Sequence, residues 1–324
     1  MLTYDFRLPP GPKTVEYAVL AEELGYRCVW CPEIPAFGHD IWITLARIAE
    51  RTTRIGVGAS VLIPSYRHAM AQASAIATLE ALAPGRLQAG FGTGFTGRAG
   101  MGKRPLKLAD MRTHIEQVRG LLRGDVVDID GGLAQLIASD GYLPDRPIDV
   151  PILMAAQGPK ARQLASEIAD GMIALGAPAP GFDTCLVSTN GTVLDDGEDI
   201  TSPRAAAAVR PLVALAYHFR YTNDRDGLKA MPNGEAWLAS VEKLDEKVRH
   251  LSVHRGHTLD VSNGHDHLVG VEAAKEMTFS GTRDELRERL DKLEAAGATG
   301  IIFGTSGVDV ERELHAYAEV AGLK

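Results

Sequence analysis

Three short stretches combine glycine with residue types that hold anions and planar rings. They read Gly92-Thr93-Gly94-Phe95-Thr96-Gly97-Arg98, Ala156-Gln157-Gly158-Pro159-Lys160 and Leu175-Gly176. Glycine lets a ligand approach backbone N–H groups, and a helix that starts at once adds the positive end of its dipole. Gly158-Pro159-Lys160 fits that description: proline suits the first helical position, and Lys160 and Arg162 bring positive charge toward an anion. The spacing Gly92-x-Gly94-x-x-Gly97 also matches a dinucleotide fingerprint, which needs an acidic residue about twenty positions later, at the end of a second strand. Glu116 falls inside a predicted helix instead, so the dinucleotide reading is weak. Arg98, Lys103, Arg104 and Lys107 follow the loop, as a solvated face or as a seat for a phosphate or an acidic arm.

Groups able to move a proton are fewer. Glu33, just past the apolar run Val29-Trp30-Cys31, is a proton donor or substrate contact, or else simply the partner of a nearby cation. His218 follows a stretch read as a strand and is a second candidate, on the substrate side. His68 is expected to anchor the start of its helix. His250, His254, His257, His265 and His267 raise the question of zinc, since His250 and His254 share a helix face. No carboxylate completes that set, so the expectation is a surface or lid loop and no metal. Cys28 and Cys31 lie in a predicted strand, where positions three apart point to opposite faces and cannot pair, so core packing is expected.

These residues need a frame to converge on. Apolar runs at 3–8, 27–31, 55–61, 86–91, 151–155, 171–175, 209–216 and 299–303 read as strands, with amphipathic stretches between them. Helices are expected at 14–24, 39–51, 67–82, 106–122, 160–168, 235–251 and 309–321. Another is bounded by a Thr282/Glu285 capping box and by Gly297, and Gly25 closes the first helix. Eight βα units in 324 residues predict an α/β fold, a (β/α)8 TIM barrel forming a single domain over 1–324. Insertions are expected at about 177–208, after strand six, and 252–276, after strand seven. Asn190-Gly191 signals a hairpin turn in the first of them. Barrel enzymes use the loops beyond the C-terminal strand ends, where the glycine-rich stretches and Glu33 fall.

Apolar residues make up 45% of the chain, enough for a large core, and charged residues 23%. A net charge of −8 argues against nucleic-acid or anionic-membrane partners. No apolar run approaches the length of a bilayer span, and no basic-then-apolar leader precedes the first strand. A cytoplasmic enzyme acting on a small molecule is the expectation. The sequon Asn190-Gly191-Thr192 is then inert.

Arg67-His68, the run Thr78-Leu79-Glu80-Ala81-Leu82-Ala83-Pro84-Gly85-Arg86, the Gly92–Arg98 loop and Ala156-Gln157-Gly158-Pro159-Lys160 together resemble the bacterial-luciferase-like flavin and F420 (deazaflavin) oxidoreductases. Within them the methylenetetrahydromethanopterin-reductase-like branch is most similar, across nearly the whole chain. The resemblance implies a barrel, often a homodimer, that binds F420 across its C-terminal mouth for hydride transfer to or from a small organic substrate. An FMN-dependent monooxygenase of the same family is the alternative. It also implies a non-proline cis peptide and bulge at Ser60-Val61 behind the ring. Gly92, Gly94 and Arg98 would lie near the cofactor, and Ala156, Gln157, Gly158, Pro159, Leu175 and Gly176 on its ribityl-phosphate side. Many F420 relatives carry an Asp-His pair where this chain has Glu33-Ile34, so a His-dependent mechanism does not transfer. Outside the family, the competing readings are a barrel that binds a flavin-like ligand without turnover and a phosphosugar isomerase or aldolase. The absence of Lys from every predicted strand counts against the aldolase.

Overall fold

In the computed structural model, which describes residues 1–323, eight apolar runs pair in parallel and close into a barrel. The barrel strands are β1 (Thr3–Arg7), β2 (Cys28–Cys31), β3 (Gly56–Leu62) and β4 (Leu87–Phe91), followed after a small antiparallel ribbon of β5 (Val127–Ile129) and β6 (Gly132–Ala134) by β7 (Ile152–Ala155), β8 (Gly171–Leu175) and β9 (Cys185–Ser188). A short parallel pair, β10 (Val193–Leu194) and β11 (Gly281–Thr282), precedes the last barrel strand, β12 (Gly300–Gly304). The order around the barrel is β1-β12-β9-β8-β7-β4-β3-β2, the arrangement of a TIM barrel with its helices outside.

The chain divides into two compact units. One comprises Met1–Gly97, Arg104–Ser188 and Leu293–Ile302; the other comprises Arg98–Lys103, Thr189–Lys292 and the chain from Phe303 onward. In the first, Cys28, Trp30, Leu153, Ile173, Leu186 and Ile302 fill the interior, and Val61 and Ala155 lie partly buried against that cluster. Gly58 passes beneath Trp30 so closely that a Cβ there would lie 2.5 Å from the indole, which fixes glycine at that position. Trp30 Nε1 donates to the buried Asp5 at 2.8 Å, and Arg27 forms an ion pair with the same carboxylate. Cys28, Cys31 and Cys185 are buried free thiols, as the strand geometry requires.

Local chemistry sets the helix starts. Asp40 accepts the N–H groups of Trp42 and Ile43 to open Ile41–Arg51, and His68 Nδ1 accepts Met70 N–H at 3.2 Å to open Ala69–Leu82. In the second unit, Thr282 and Glu285 form the expected capping box, at 2.8 and 3.4 Å.

Four expectations need correction. Residues 209–216 are not a strand but the middle of a helix, Pro203–Asn223, and the seventh barrel strand is β9. Ser202 Oγ caps that helix on Ala205 N–H and Pro203 occupies its first turn, while the buried face of Val209, Leu212, Val213 and Tyr217 gives the apolar run. The two insertions accordingly become one long excursion, 189–299, after the seventh strand, and the link after the sixth shrinks to 176–184. Asn190-Gly191 turns no hairpin: β10 pairs in parallel with β11, and Gly191 is needed because a Cβ would lie 2.1 Å from the Phe279 carbonyl oxygen. The expected helix at 235–251 is interrupted, with Gly234–Glu242 and Arg249–Val253 as separate pieces. Among the described residues no helix is long and apolar enough to cross a membrane.

Candidate active site at the barrel mouth

The C-terminal strand ends of the first unit gather most of the residues singled out above. In β3 the pairing with β4 shifts register between Ser60 and Leu62, and the Ser60-Val61 peptide is cis, as the resemblance implied. The bulge turns Val61 over the start of the glycine loop: a Cβ on Gly92 would lie 2.5 Å from Val61 Cγ2. Gly92 N–H donates to Leu62 O at 3.0 Å, so the loop is tied to β3 just past the bulge. Gly94 has φ +77°, a conformation glycine adopts at little cost. Gly97 packs so tightly under Tyr66 and the Glu33 backbone that a Cβ would lie 2.6 Å from Tyr66 Oη and 3.4 Å from Glu33 O.

Glu33 is 4% exposed. Its Oε2 accepts Ile63 N–H at 2.7 Å, while Oε1 lies 3.9 Å from Arg67 Nε, an arginine also paired with Asp40. Burial outweighs the Ile63 hydrogen bond and the Arg67 charge and pushes the carboxyl up to about 7. A carboxyl held there exchanges a proton near neutral pH.

At the end of β7, Ala156 N–H donates to Ile173 O at 3.2 Å, after which Gln157 and Gly158 are exposed. Gly158 is the cap residue of the helix Pro159–Ile168, with Pro159 in the first turn and no side chain capping the end. A Cβ on Gly158 would meet nothing within 4 Å, so the approach to this helix start is open on the Gly158 side. On the neighbouring strand Leu175 is 49% exposed and Gly176, also open, has φ +87°. Val61, Ala155 and Leu175 thus offer apolar surface at the ends of β3, β7 and β8, beside a helix start suited to an anion. The donor set and the open glycines fit a cofactor with a flat ring and a phosphorylated arm.

Arg7 is a mouth residue that sequence reasoning passed over. It is the last residue of β1, and its Nη1 donates to Ser188 Oγ at the end of β9, 2.7 Å away. Burial lowers it to about 10, which leaves it a cation at neutral pH. A lone arginine closing an apolar strand was the available signal.

Two expected site residues belong to the second unit. Arg98 is half-buried in the short helix Phe95–Ala99, and its carbonyl accepts Met101 and Lys103 N–H in the turn that carries the basic stretch. His218 follows no strand. It lies within Pro203–Asn223, 1% exposed, where Nδ1 faces His257 Nδ1 at 3.1 Å and Nε2 lies 3.3 Å from Asp266 Oδ1. Its reading as a substrate-side residue rested on the strand now replaced by a helix. His254 Nδ1 lies 3.4 Å from His257 Nδ1. The His-rich segment is therefore no surface loop at these positions: His254 is 9% and His257 2% exposed. Burial lowers His257 well below the usual range and His254 to about 4, so both are neutral at pH 7.

Comparison with known proteins agrees with this architecture. The luciferase-like monooxygenase family pattern matches residues 7–300. The chain is 29% identical to the F420-dependent glucose-6-phosphate dehydrogenase of Amycolatopsis mediterranei (strain U-32), over 95% of this chain and 93% of that one. It is 26% identical to the 5,10-methylenetetrahydromethanopterin reductase of Methanolobus tindarius, over 91% of each. The structure of the coenzyme F420-dependent tetrahydromethanopterin reductase from Methanopyrus kandleri has the same fold, with a TM-score of 0.69 at 18% identity over 100% of this chain and 99% of that one. With the pattern matched from β1 to β12, the protein belongs to the luciferase-like monooxygenase family.

Proposed function

We propose that the protein is an oxidoreductase that uses F420 to transfer a hydride to or from a small organic substrate. The observation that carries this reading is the open, uncapped helix start at Gly158-Pro159 beside the apolar surface of Val61, Ala155 and Leu175. Names among the relatives point the same way: the Amycolatopsis mediterranei dehydrogenase and the Methanopyrus kandleri reductase compared above are F420-dependent.

The cofactor supplies the hydride-accepting and hydride-donating ring, so the protein needs few acid–base groups. Ser60 and Val61 support the ring from behind, and Gly92 gives Val61 the room to do so. Backbone N–H groups following Gly158 hold the phosphate, with Ala156, Gln157, Pro159, Leu175 and Gly176 shaping that side of the site. Gly94 shapes the glycine loop. Glu33 gives a proton to, or takes one from, the reacting oxygen of the substrate, and its carboxyl near 7 is matched to that task.

The test is anaerobic turnover. Reduction of F420 by an alcohol, or oxidation of its reduced form by an unsaturated acceptor, is the expected result. Oxygen-dependent product formation with reduced FMN would instead establish the second reading, an FMN-dependent monooxygenase, which the family description favours. We also infer that residues 1–324 act as one domain of a cytoplasmic homodimer that binds no nucleic acid; the net charge of −8 supports the last of these. Mass photometry showing only monomer at micromolar concentration would remove the dimer.

A further inference from the structure

We propose that His218, His254 and His257 bind one divalent transition-metal ion of the zinc class through their Nδ1 atoms, with Asp266 behind His218. Among the described residues this is the one group of three metal-ligating side chains whose ligand atoms all lie within 4.8 Å of one another. The site is made within the second unit from elements distant in sequence. His218 comes from the helix Pro203–Asn223, and His254 and His257 from the turn after Arg249–Val253.

Hydrogen bonding alone cannot satisfy this arrangement. A neutral imidazole nitrogen has a single in-plane site, either a proton or a lone pair. His257 Nδ1 faces two other nitrogens, His218 Nδ1 at 3.1 Å and His254 Nδ1 at 3.4 Å. His218 Nε2 faces the Asp266 carboxylate at 3.3 Å, so its proton belongs on Nε2 and its Nδ1 carries a lone pair. One proton on His257 Nδ1 satisfies His218 and leaves the lone pair of His254 facing an occupied site. A cation between the three nitrogens satisfies all of them at once.

The distances suit that cation. Zinc–nitrogen bonds of about 2.0–2.1 Å in a tetrahedron separate neighbouring ligand nitrogens by about 3.3–3.4 Å. The two observed separations, 3.1 and 3.4 Å, bracket that edge. Three imidazoles with no thiolate and no direct carboxylate select zinc, cobalt(II) or nickel(II) over calcium or magnesium, which demand oxygen ligands.

The surroundings are those of a held ligand set. Asp266, 1% exposed, also lies 3.3 Å from Trp237 Nε1, and Asn263 Oδ1 accepts both His265 and Asp266 N–H at 2.9 Å. Asn263 Nδ2 in turn donates to Val253 O at 3.2 Å, which ties the carboxylate to the residue preceding His254. A carboxylate bonded to the far nitrogen of a metal-ligating histidine fixes the tautomer and strengthens the ligand. Val209, Val213, Tyr217, Trp237, Val241 and Val253 form the apolar core of the same unit. The ion would thus clamp the long excursion's main helix to its irregular segment, with water completing the tetrahedron.

The full chain, stripped by a chelator under native conditions, is titrated with cobalt(II) and then with zinc. One equivalent per chain is expected, with the intense visible bands of tetrahedral cobalt, no thiolate charge-transfer band, and displacement by zinc. His257→Gln and His254→Gln should weaken binding at least 100-fold and Asp266→Asn about 10–100-fold, whereas His267→Gln, at an exposed position, should leave it unchanged. If the histidine variants fail to fold, the stripped wild type still decides, because added zinc should raise its melting temperature. No binding by folded wild type, an octahedral cobalt spectrum, equal affinity in a folded His257→Gln protein, or loss of binding in His267→Gln would overturn the proposal.

Discussion

Val61 occupies the space that a side chain on Gly92 would need: a Cβ at residue 92 would lie 2.5 Å from Val61 Cγ2. The β3 bulge and the glycine loop after β4 are therefore one unit of packing. Any larger residue at 92 must push Val61 toward the site or the loop away from it. Gly92→Ala should cost about 1–3 kcal/mol, the usual penalty for overpacking, and weaken cofactor binding at least tenfold. Chemical denaturation paired with cofactor titration checks both. Full stability with full affinity would show that Val61 yields at no cost.

Gly158 gives the opposite expectation. Its Cβ direction is open, so Gly158→Val should leave the denaturation midpoint nearly unchanged while abolishing cofactor binding, because the branched side chain would fill the approach to the helix start. Unchanged affinity in a folded Gly158→Val protein would take this helix out of the site.

Glu33 links stability and activity to pH. Its folded-state value, about 7, lies above the ordinary 4.5, so folding favours the neutral carboxyl. The associated stability is fully present below about pH 4.5 and is lost as pH rises through about 7, a change of roughly 3 kcal/mol. The melting temperature of wild type should accordingly fall more between pH 5 and pH 8 than that of Glu33→Gln. In turnover, a Glu33 that acts as a proton donor makes kcat/KM fall as pH rises through about 7. Glu33→Gln should remove that limb and slow the reaction by ~10²–10⁴. An identical pH profile in the variant would assign Glu33 to Arg67 and the loop alone.

In the second unit, Gly191 lies against the Phe279 carbonyl, with a Cβ there only 2.1 Å from the oxygen. Gly191→Ala should destabilise by about 1–3 kcal/mol without changing cofactor affinity, since residue 191 is far in sequence and role from the glycine-rich strand ends. Thermal denaturation and cofactor titration of the same sample separate the two effects.

Much of this was legible from residue pattern. β1 to β4, β7, β8 and β12 each announced themselves as an apolar run bounded by glycine, proline or charge, and the Thr282/Glu285 cap was readable because its signal is local. β9 was missed because Cys185–Ser188 sits directly before Asn190-Gly191, whose turn chemistry outweighed it. The run 209–216 is apolar enough for a strand, and the cues that make it helical, Ser202 and Pro203, lie a full two turns earlier. Glu33 and the open glycines could be located because TIM barrels place sites at strand ends. The meeting of His218 with His257, 39 positions apart, depends on how a helix and an irregular segment pack, and no local pattern records it.

We propose a barrel mouth shaped for F420. Titration of purified protein with F420 and, separately, with FMN, followed by absorbance at ~420 and ~450 nm, which belong to the free cofactors, is the sharpest test. Saturable one-to-one binding of F420, at least tenfold tighter than that of FMN, is expected. FMN binding as tightly or more tightly, or no binding of F420 by folded protein, would contradict it.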